Sequence, residues 1–340
     1  MKKIFISWCM LLITYSGIAQ EKNNKQDTTK KEINLDEVVI SASNFAEKKK
    51  NVAQKIDVIS AKTIAQINAQ NTGDLLINTG KIFVQKSQQG GSSPVLRGFE
   101  ASRVLLVIDG VRMNNAIYRS GHLQNVITSD QNSLSRVEVM YGPSSTIYGS
   151  DALGGIVHLV TKSPQLSGDK KFPTTGTAFT RYSSVNNEKT IHADASIGGK
   201  KFAWFQSYNY SDFGDMKMGR NYPDKYPNFG RRSTYVGSVN GVDSVLVNKD
   251  DRVQKFSGYK QWDIIQKLLF KQNEHISHSL NFQLSNTTDV PRYDRLQDTR
   301  NFGGSIGTTL RYAEWYYGPQ KRIMGAYELN AAKLGFVDAL

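Results

Sequence analysis

Residues 135–162 read SRVEVMYGPSSTIYGSDALGGIVHLVTK. Two β-branched runs, SRVEVMY and IVHLVT, bracket glycines at 142, 149, 154 and 155. Such glycines serve either to cradle a phosphate or to satisfy the backbone. A dinucleotide loop follows a strand and opens a helix, whereas here the last glycine pair opens a strand. The pattern therefore assigns Gly142-Pro143 to the stop of one strand and Gly149 to a second turn. Gly154 and Gly155 mark a strand that passes close to other backbone.

Working outward, residues 53–165 read as a small α+β domain. QKIDVIS (54–60) is a strand, and Ser60 or Thr63 caps a helix through KTIAQINAQ. TGDLLINT (72–79) is a second helix ending near Gly80, and KIFVQK (81–86) is a strand. VLLVIDGVRM (104–113) splits two apolar runs at Asp109-Gly110. That dipeptide signals a hairpin, because a type I′ turn needs positive φ at both central positions.

In front of this domain, MKKIFISWCMLLITYSGIAQ has a Lys2-Lys3 start, an apolar core from Ile4 to Tyr15, and small residues Gly17 and Ala19. It reads as a secretory leader over 1–19, cleaved after Ala19. Cys9, the sole cysteine, lies inside the apolar core. Disulfide, thiolate and cysteine-metal chemistry are thereby excluded from the exported part of these residues. Residues 20–52 read as a disordered tail, interrupted by INLDEVVISAS (33–43). Its β-branched core, Val38-Val39-Ile40, either waits for a partner's sheet edge or pairs with its own domain.

From 166 to 340 the pattern becomes alternating. In IHADASI, Ile191, Ala193, Ala195 and Ile197 face one way and His192, Asp194 and Ser196 the other. ISHSLNFQL sets Ile276, His278, Leu280, Phe282 and Leu284 against Ser277, Ser279, Asn281 and Gln283. Segments of about ten residues with this dyad are the signature of a transmembrane β-barrel, and a soluble sandwich is the alternative. Strands are expected near 174–182, 190–198, 201–211, 261–271, 276–286, 310–317 and 322–332. Their connections alternate between short and long, as barrel turns and loops do. The expectation is an α+β domain followed by antiparallel barrel strands, about seven or eight of a larger set. The chain is then the front part of a longer protein. The net charge of +13 comes with scattered lysines and no recognition helix or zinc spacing. It points to anionic lipid or an acidic ligand rather than nucleic acid. No nucleophile motif or metal-ligand cluster indicates an enzyme.

Three ordered motifs resemble the TonB-dependent outer-membrane receptors: LDEVVISAS (35–43), PVLRGFEASRVLLVIDGVRMN (94–114) and the stretch quoted first. The resemblance implies an outer-membrane protein whose 53–165 domain is a plug inside the barrel. It implies a TonB box at Asp36, Glu37, Val38, Val39, Ile40, Ser41 and Ala42, paired by the periplasmic TonB protein. The plug positions Arg97, Gly98, Asp109, Gly110, Gly142, Pro143, Gly149, Gly154 and Gly155 are then structural. MNNAIYRSGHLQNVI (113–127) looks like the heme- and hemoglobin-uptake branch. That likeness makes His122 the expected ligand to heme iron, with heme, a hemoprotein or a siderophore as the partner ligand; Tyr118 and Arg119 are expected to contact an aromatic or carboxylate-bearing ligand. Tyr222, Tyr226, Arg231 and Arg232 in the long loop are expected to serve early capture. A ferric-siderophore or cobalamin receptor shares the same motifs, and a non-transporting adhesin or a truncated reading frame is the reading of another class.

Overall fold

The computed structural model describes residues 38–39, 47–52, 54–113, 125–142, 148–149, 152–168, 173–221, 224–304, 306–334 and 337–339. The expected leader, most of the box (Asp36, Glu37, Ile40, Ser41, Ala42), the loop with Tyr118, Arg119 and His122, and Pro143 lie outside these residues.

The front domain begins earlier than its sequence pattern indicates. Strand β1 (Val38–Val39) pairs antiparallel with β2 (Glu47–Lys48), and Val39 is fully buried beside Ile56, Leu105 and Met140. The tail expected through 52 is therefore folded at its end. The short run finds enough apolar cover in its own domain. Then follow β3 (Ile56–Ser60), α1 (Ala61–Ile67), α2 (Thr72–Asn78), β4 (Phe83–Gln88), β5 (Gly91–Val95), β6 (Val104–Ile108), β7 (Val111–Arg112), β8 (Leu134–Tyr141) and β9 (Gly155–Thr161). Ser60 caps α1, its hydroxyl accepting from the Thr63 amide at 3.2 Å, and Asn68 ends it with φ 48°. Strand β5 has no sequence signal, because GSSPV carries a glycine and a proline that normally leave strands. Among the described residues it pairs with β4 alone.

Five strands form one sheet in the order β3-β8-β9-β6-β7, with β6 and β9 parallel. Every residue of VLLVI in β6 is buried. Leu106 and Ile108 join the cluster that includes Ile64, Leu75 and Leu76 of the helices, while Leu105 and Val107 join the cluster around Val39. A sheet covered on both faces reads as a continuous apolar run, which is why VLLVI shows no alternation.

The second part is one antiparallel sheet that forms a wall. Its strands are β10 (Thr174–Ser183), β11 (Glu188–Gly198), β12 (Phe202–Phe213), β15 (Tyr259–Lys271), β16 (Ile276–Thr287), β21 (Lys321–Leu334) and β22 (Val337–Ala339). The hairpin β13 (Thr234–Val239) with β14 (Val242–Val247) lies in the long connection 214–258. Within 288–320, β17 (Val290–Pro291) pairs with β20 (Tyr316–Tyr317), and β18 (Thr299–Asn301) with β19 (Thr308–Leu310). The wall strand expected at 310–317 is thus absent; that segment serves loop hairpins, and β21 pairs directly with β16. Aromatic residues there mimic a strand's composition, but the run is broken at Arg311-Tyr312. With this correction, 199–201 and 272–275 lie at one rim and 184–187, 214–258 and 288–320 at the other.

The wall is built inside out. His192, Ser207, Asn209, Gln261, Asp263, Lys267, Gln283 and Ser285 are buried on its inner face. Phe202 (64% exposed), Ile323 (61%) and Tyr327 (60%) stand on the outer face. A soluble sandwich would do the reverse, so the polarity decides for a barrel wall. Aromatic residues mark both ends of the outer band. Near the short-turn rim Phe202 stacks on Phe270 (4.5 Å), and Phe270 on His278 (5.8 Å); toward the other rim Tyr210 pairs with Trp262.

Candidate functional site

The candidate functional surface is the seam where the front domain meets the inner face of the wall. Its central residue is Asp109, at the β6–β7 turn with φ 46°, followed by Gly110 at φ 82°. The tight turn throws the carboxylate outward. Thr161 of β9 donates to it from its amide (2.8 Å) and its hydroxyl (2.6 Å). From the wall come Gln283 Nε2 (2.7 Å), Asn281 Nδ2 (2.9 Å) and Lys267 Nζ (3.0 Å). Burial opposes the charge on Asp109, but Lys267 and the Thr161 hydrogen bonds outweigh it and hold the carboxyl below its ordinary range.

A second clamp uses Asp130. Its Oδ2 lies 3.2 Å from His192 Nδ1, His192 Nε2 lies 3.0 Å from Asp194, and Lys162 reaches Asp194 at 2.6 Å. Elsewhere the wall grips front-domain carbonyls. Arg181 donates to Ala69 O (2.9 Å), Gln261 to Ile127 O (2.7 Å) and Arg322 to Thr128 O (2.8 Å). Apolar contact between the two parts is small: Phe213, Tyr259, Val290 and Met324 close over the helical side of the core. A seam held mainly by directed hydrogen bonds fixes position, and it can be released bond by bond where water enters.

The glycines have separate jobs in this frame. Gly142 (φ 94°) and Gly149 (φ 87°) adopt turn conformations. A Cβ on Gly155 would stand 2.3 Å from the Met140 carbonyl oxygen, and one on Gly154 2.2 Å from Phe99 Cβ. Arg97 (φ 49°) and Gly98 (φ 83°) form another tight turn, between Leu96 and Phe99. The Arg97 guanidinium lies 4.9 Å from the Tyr141 ring centre. Tyr141 Oη donates to Asp57 (3.1 Å); burial and then the Asp57 charge push the phenol up to about 12.

Below Asp109 lies a cavity of about 1100 Å³, lined by Arg112, Tyr148, His158, Lys267, Asn281 and Glu328 among others. It occupies the half of the wall near the short turns. His158 Nε2 accepts from the Gly110 amide (3.2 Å), steadying the same turn. Its Nδ1 faces Glu138 Oε2 at 3.9 Å, and Glu138 accepts from Arg136 Nε at 2.7 Å. Burial keeps His158 below its ordinary pKa despite the attraction of Glu138. Sequence reasoning passed over Asp130, His158, His192 and Lys267. The available signal was a titratable residue inside a β-branched run, as in IVHLVT. The capture role expected of Arg232 fails: the residue is 5% exposed, and its guanidinium donates to the carbonyls of Lys255 and Leu296, joining the two long loops. Arg231 is instead paired with Asp251 at 2.7 Å, and Tyr226 is exposed.

Residues 48–156 match the TonB-dependent receptor plug domain. The front domain is similar to a TonB-dependent receptor plug. Among curated relatives, the vitamin B12 transporter BtuB of Vibrio vulnificus is 33% identical over 194 residues, which covers 55% of this chain and 30% of the relative. The chain therefore spans about a third of that relative's length. Among solved structures, the FrpB iron transporter of Neisseria meningitidis superposes with a TM-score of 0.60 at 17% identity, covering 84% of this chain and 39% of the other. The ferric enterobactin receptor PfeA of Pseudomonas aeruginosa gives 0.53 at 15%, covering 82% and 39%. The plug and its antiparallel wall have the TonB-dependent receptor fold.

Proposed function

We propose that this chain is the front part of an active transporter of the outer membrane, in which the plug gates the barrel and TonB supplies the work. The observation that carries the reading is the inside-out wall with the plug hydrogen-bonded to its polar face. A plug held by Asp109 and Asp130 closes the lumen, and transport requires those bonds to give way. Nanomolar capture of a scarce nutrient is worth about −12 kcal/mol, so release needs an energy source. Charge movement across the inner membrane provides about 2.3 kcal/mol per charge per 100 mV. TonB would pair with the box at 35–43 by strand addition. Since Val38–Val39 already pair with Glu47–Lys48, that pairing must first be exchanged.

The cargo is a bulky metal-bearing complex, and heme is the first candidate. His122 would bind the heme iron, with Tyr118 and Arg119 beside it. A ferric siderophore or cobalamin is the second reading, favoured by the names of the similar transporters. Titration of the full-length receptor with heme, followed by absorbance, tests the choice against His122→Ala. A shifted absorbance band that is lost in the variant supports heme. An unchanged band and affinity in the variant remove His122. No heme binding, with saturable binding of cobalamin or a ferric siderophore, replaces the cargo.

A further inference from the structure

The outer face of the wall breaks its own rule at one height. Its outward residues run Phe202, Trp204, Gln206, Tyr208, Tyr210 on β12 and Trp262, Ile264, Gln266, Leu268, Phe270 on β15, with Gln206 paired directly to Gln266. Gln206 lies four residues from each aromatic end, about 14 Å along the strand at ~3.4 Å per residue. That is the middle of the lipid-facing band.

The two amides are only partly satisfied. Trp204 Nε1 donates to Gln266 Oε1 at 2.8 Å, and Gln266 Nε2 donates to Tyr208 Oη at 3.0 Å. Tyr208 Oη in turn reaches Gln206 Oε1 at 3.4 Å. Among the described residues, nothing accepts from Gln206 Nε2. Lipid tails offer no acceptor, and an unpaired donor in hydrocarbon is costly. A neighbouring strand or helix has already used its own carbonyls, so the acceptor must come from a side chain at the same depth. A glutamine amide is its own complement, and a two-fold axis through it makes both bonds at once. Trp204 and Tyr208 add exposed aromatic area, and Leu268 exposed aliphatic area, of the kind buried at contacts between proteins.

We propose that the outer face of β12 and β15 is the contact surface for a second copy of the same receptor, with Gln206 at the two-fold axis. This rests on the barrel reading above. The test uses full-length receptor freed of other cysteines (Cys9 is the sole one here) and carrying Gln206→Cys, oxidised in isolated outer membranes. A disulfide needs Cα atoms about 4.4–6.8 Å apart, so only a contact at the axis crosslinks. Phe282→Cys, at the same height two strands away, is the control. A product of twice the receptor mass, at least tenfold more abundant than in the control, is expected, with Gln206→Leu lowering the dimer fraction measured by mass photometry. Monomer only, a product of another mass, equal crosslinking in the control, or an unchanged dimer fraction overturns the proposal. Heat-modifiable mobility and resistance to alkaline extraction are read on every variant. Their loss in the wild type ends the barrel reading itself, and their presence with a monomer ends only this proposal.

Discussion

Replacing Asp109 by asparagine keeps the shape of the side chain and removes its charge. In the native seam one carboxylate receives five donors, four of them on Oδ2: Thr161 Oγ1, Asn281, Gln283 and Lys267. An amide placed there points hydrogens at donors on one side or the other. Lys267, 8% exposed at its side chain, loses its only ion-pair partner among the described residues. Breaking a buried pair from one side costs about 3–5 kcal/mol. At about 1.4 kcal/mol per factor of ten, opening of the turn becomes roughly 10²- to 4 × 10³-fold more frequent. Hydrogen exchange of peptides covering 104–113 and 155–162, in full-length receptor, reads this directly. Peptides from α1, remote from the clamp, should exchange as before. Adding Lys267→Met should recover part of the protection, because no ammonium is then stranded. Exchange of Asp109→Asn within about threefold of the wild type would refute the idea that this carboxylate fastens the plug to the wall.

Acid should loosen the same clamp. The folded pKa of Asp109 is lowered, so its stabilisation is complete above the unfolded value near ~3.9 and is lost as the pH falls through the folded value; exchange at Thr161 should rise there. His158 acts at higher pH. Its folded pKa is also lowered, so the unfolded state binds the extra proton first, and plug stability should fall as the pH drops below about 6.5; His158→Gln should flatten that slope in denaturant titrations, and an identical slope contradicts it. Gly155→Ala places Cβ against the Met140 carbonyl at φ 142° and should cost more than about 2 kcal/mol by overpacking and strain. Among the described residues nothing lies near a Cβ on Gly142, at φ 94°, so Gly142→Ala should cost the backbone penalty of about 1–2 kcal/mol; equal midpoints for the two variants would contradict the distinction.

Local pattern alone determined much of this molecule. The Asp109-Gly110 hairpin, a helix start at Ser60 or Thr63, the strands around SRVEVMY and IVHLVT, and the dyad of β11 and β16 all follow from backbone preference and period, which act between near neighbours in the chain. The three motifs resembled the receptor family because those same local demands recur in order. Only the tertiary structure decided what the polar halves of the dyads face. Lys267, His192 and Gln283 look alike in sequence as lumen-side residues, yet their partners lie 158, 62 and 174 positions away, at Asp109 and Asp130. Val39 left a choice between a partner's sheet and its own domain until folding buried it, Arg232 read as a capture residue until folding covered it, and the aromatic run at 310–317 read as a wall strand until β21 took its place beside β16. Strand pairing, burial and ion pairing at such separations depend on which surfaces meet, and a linear pattern carries no record of that meeting.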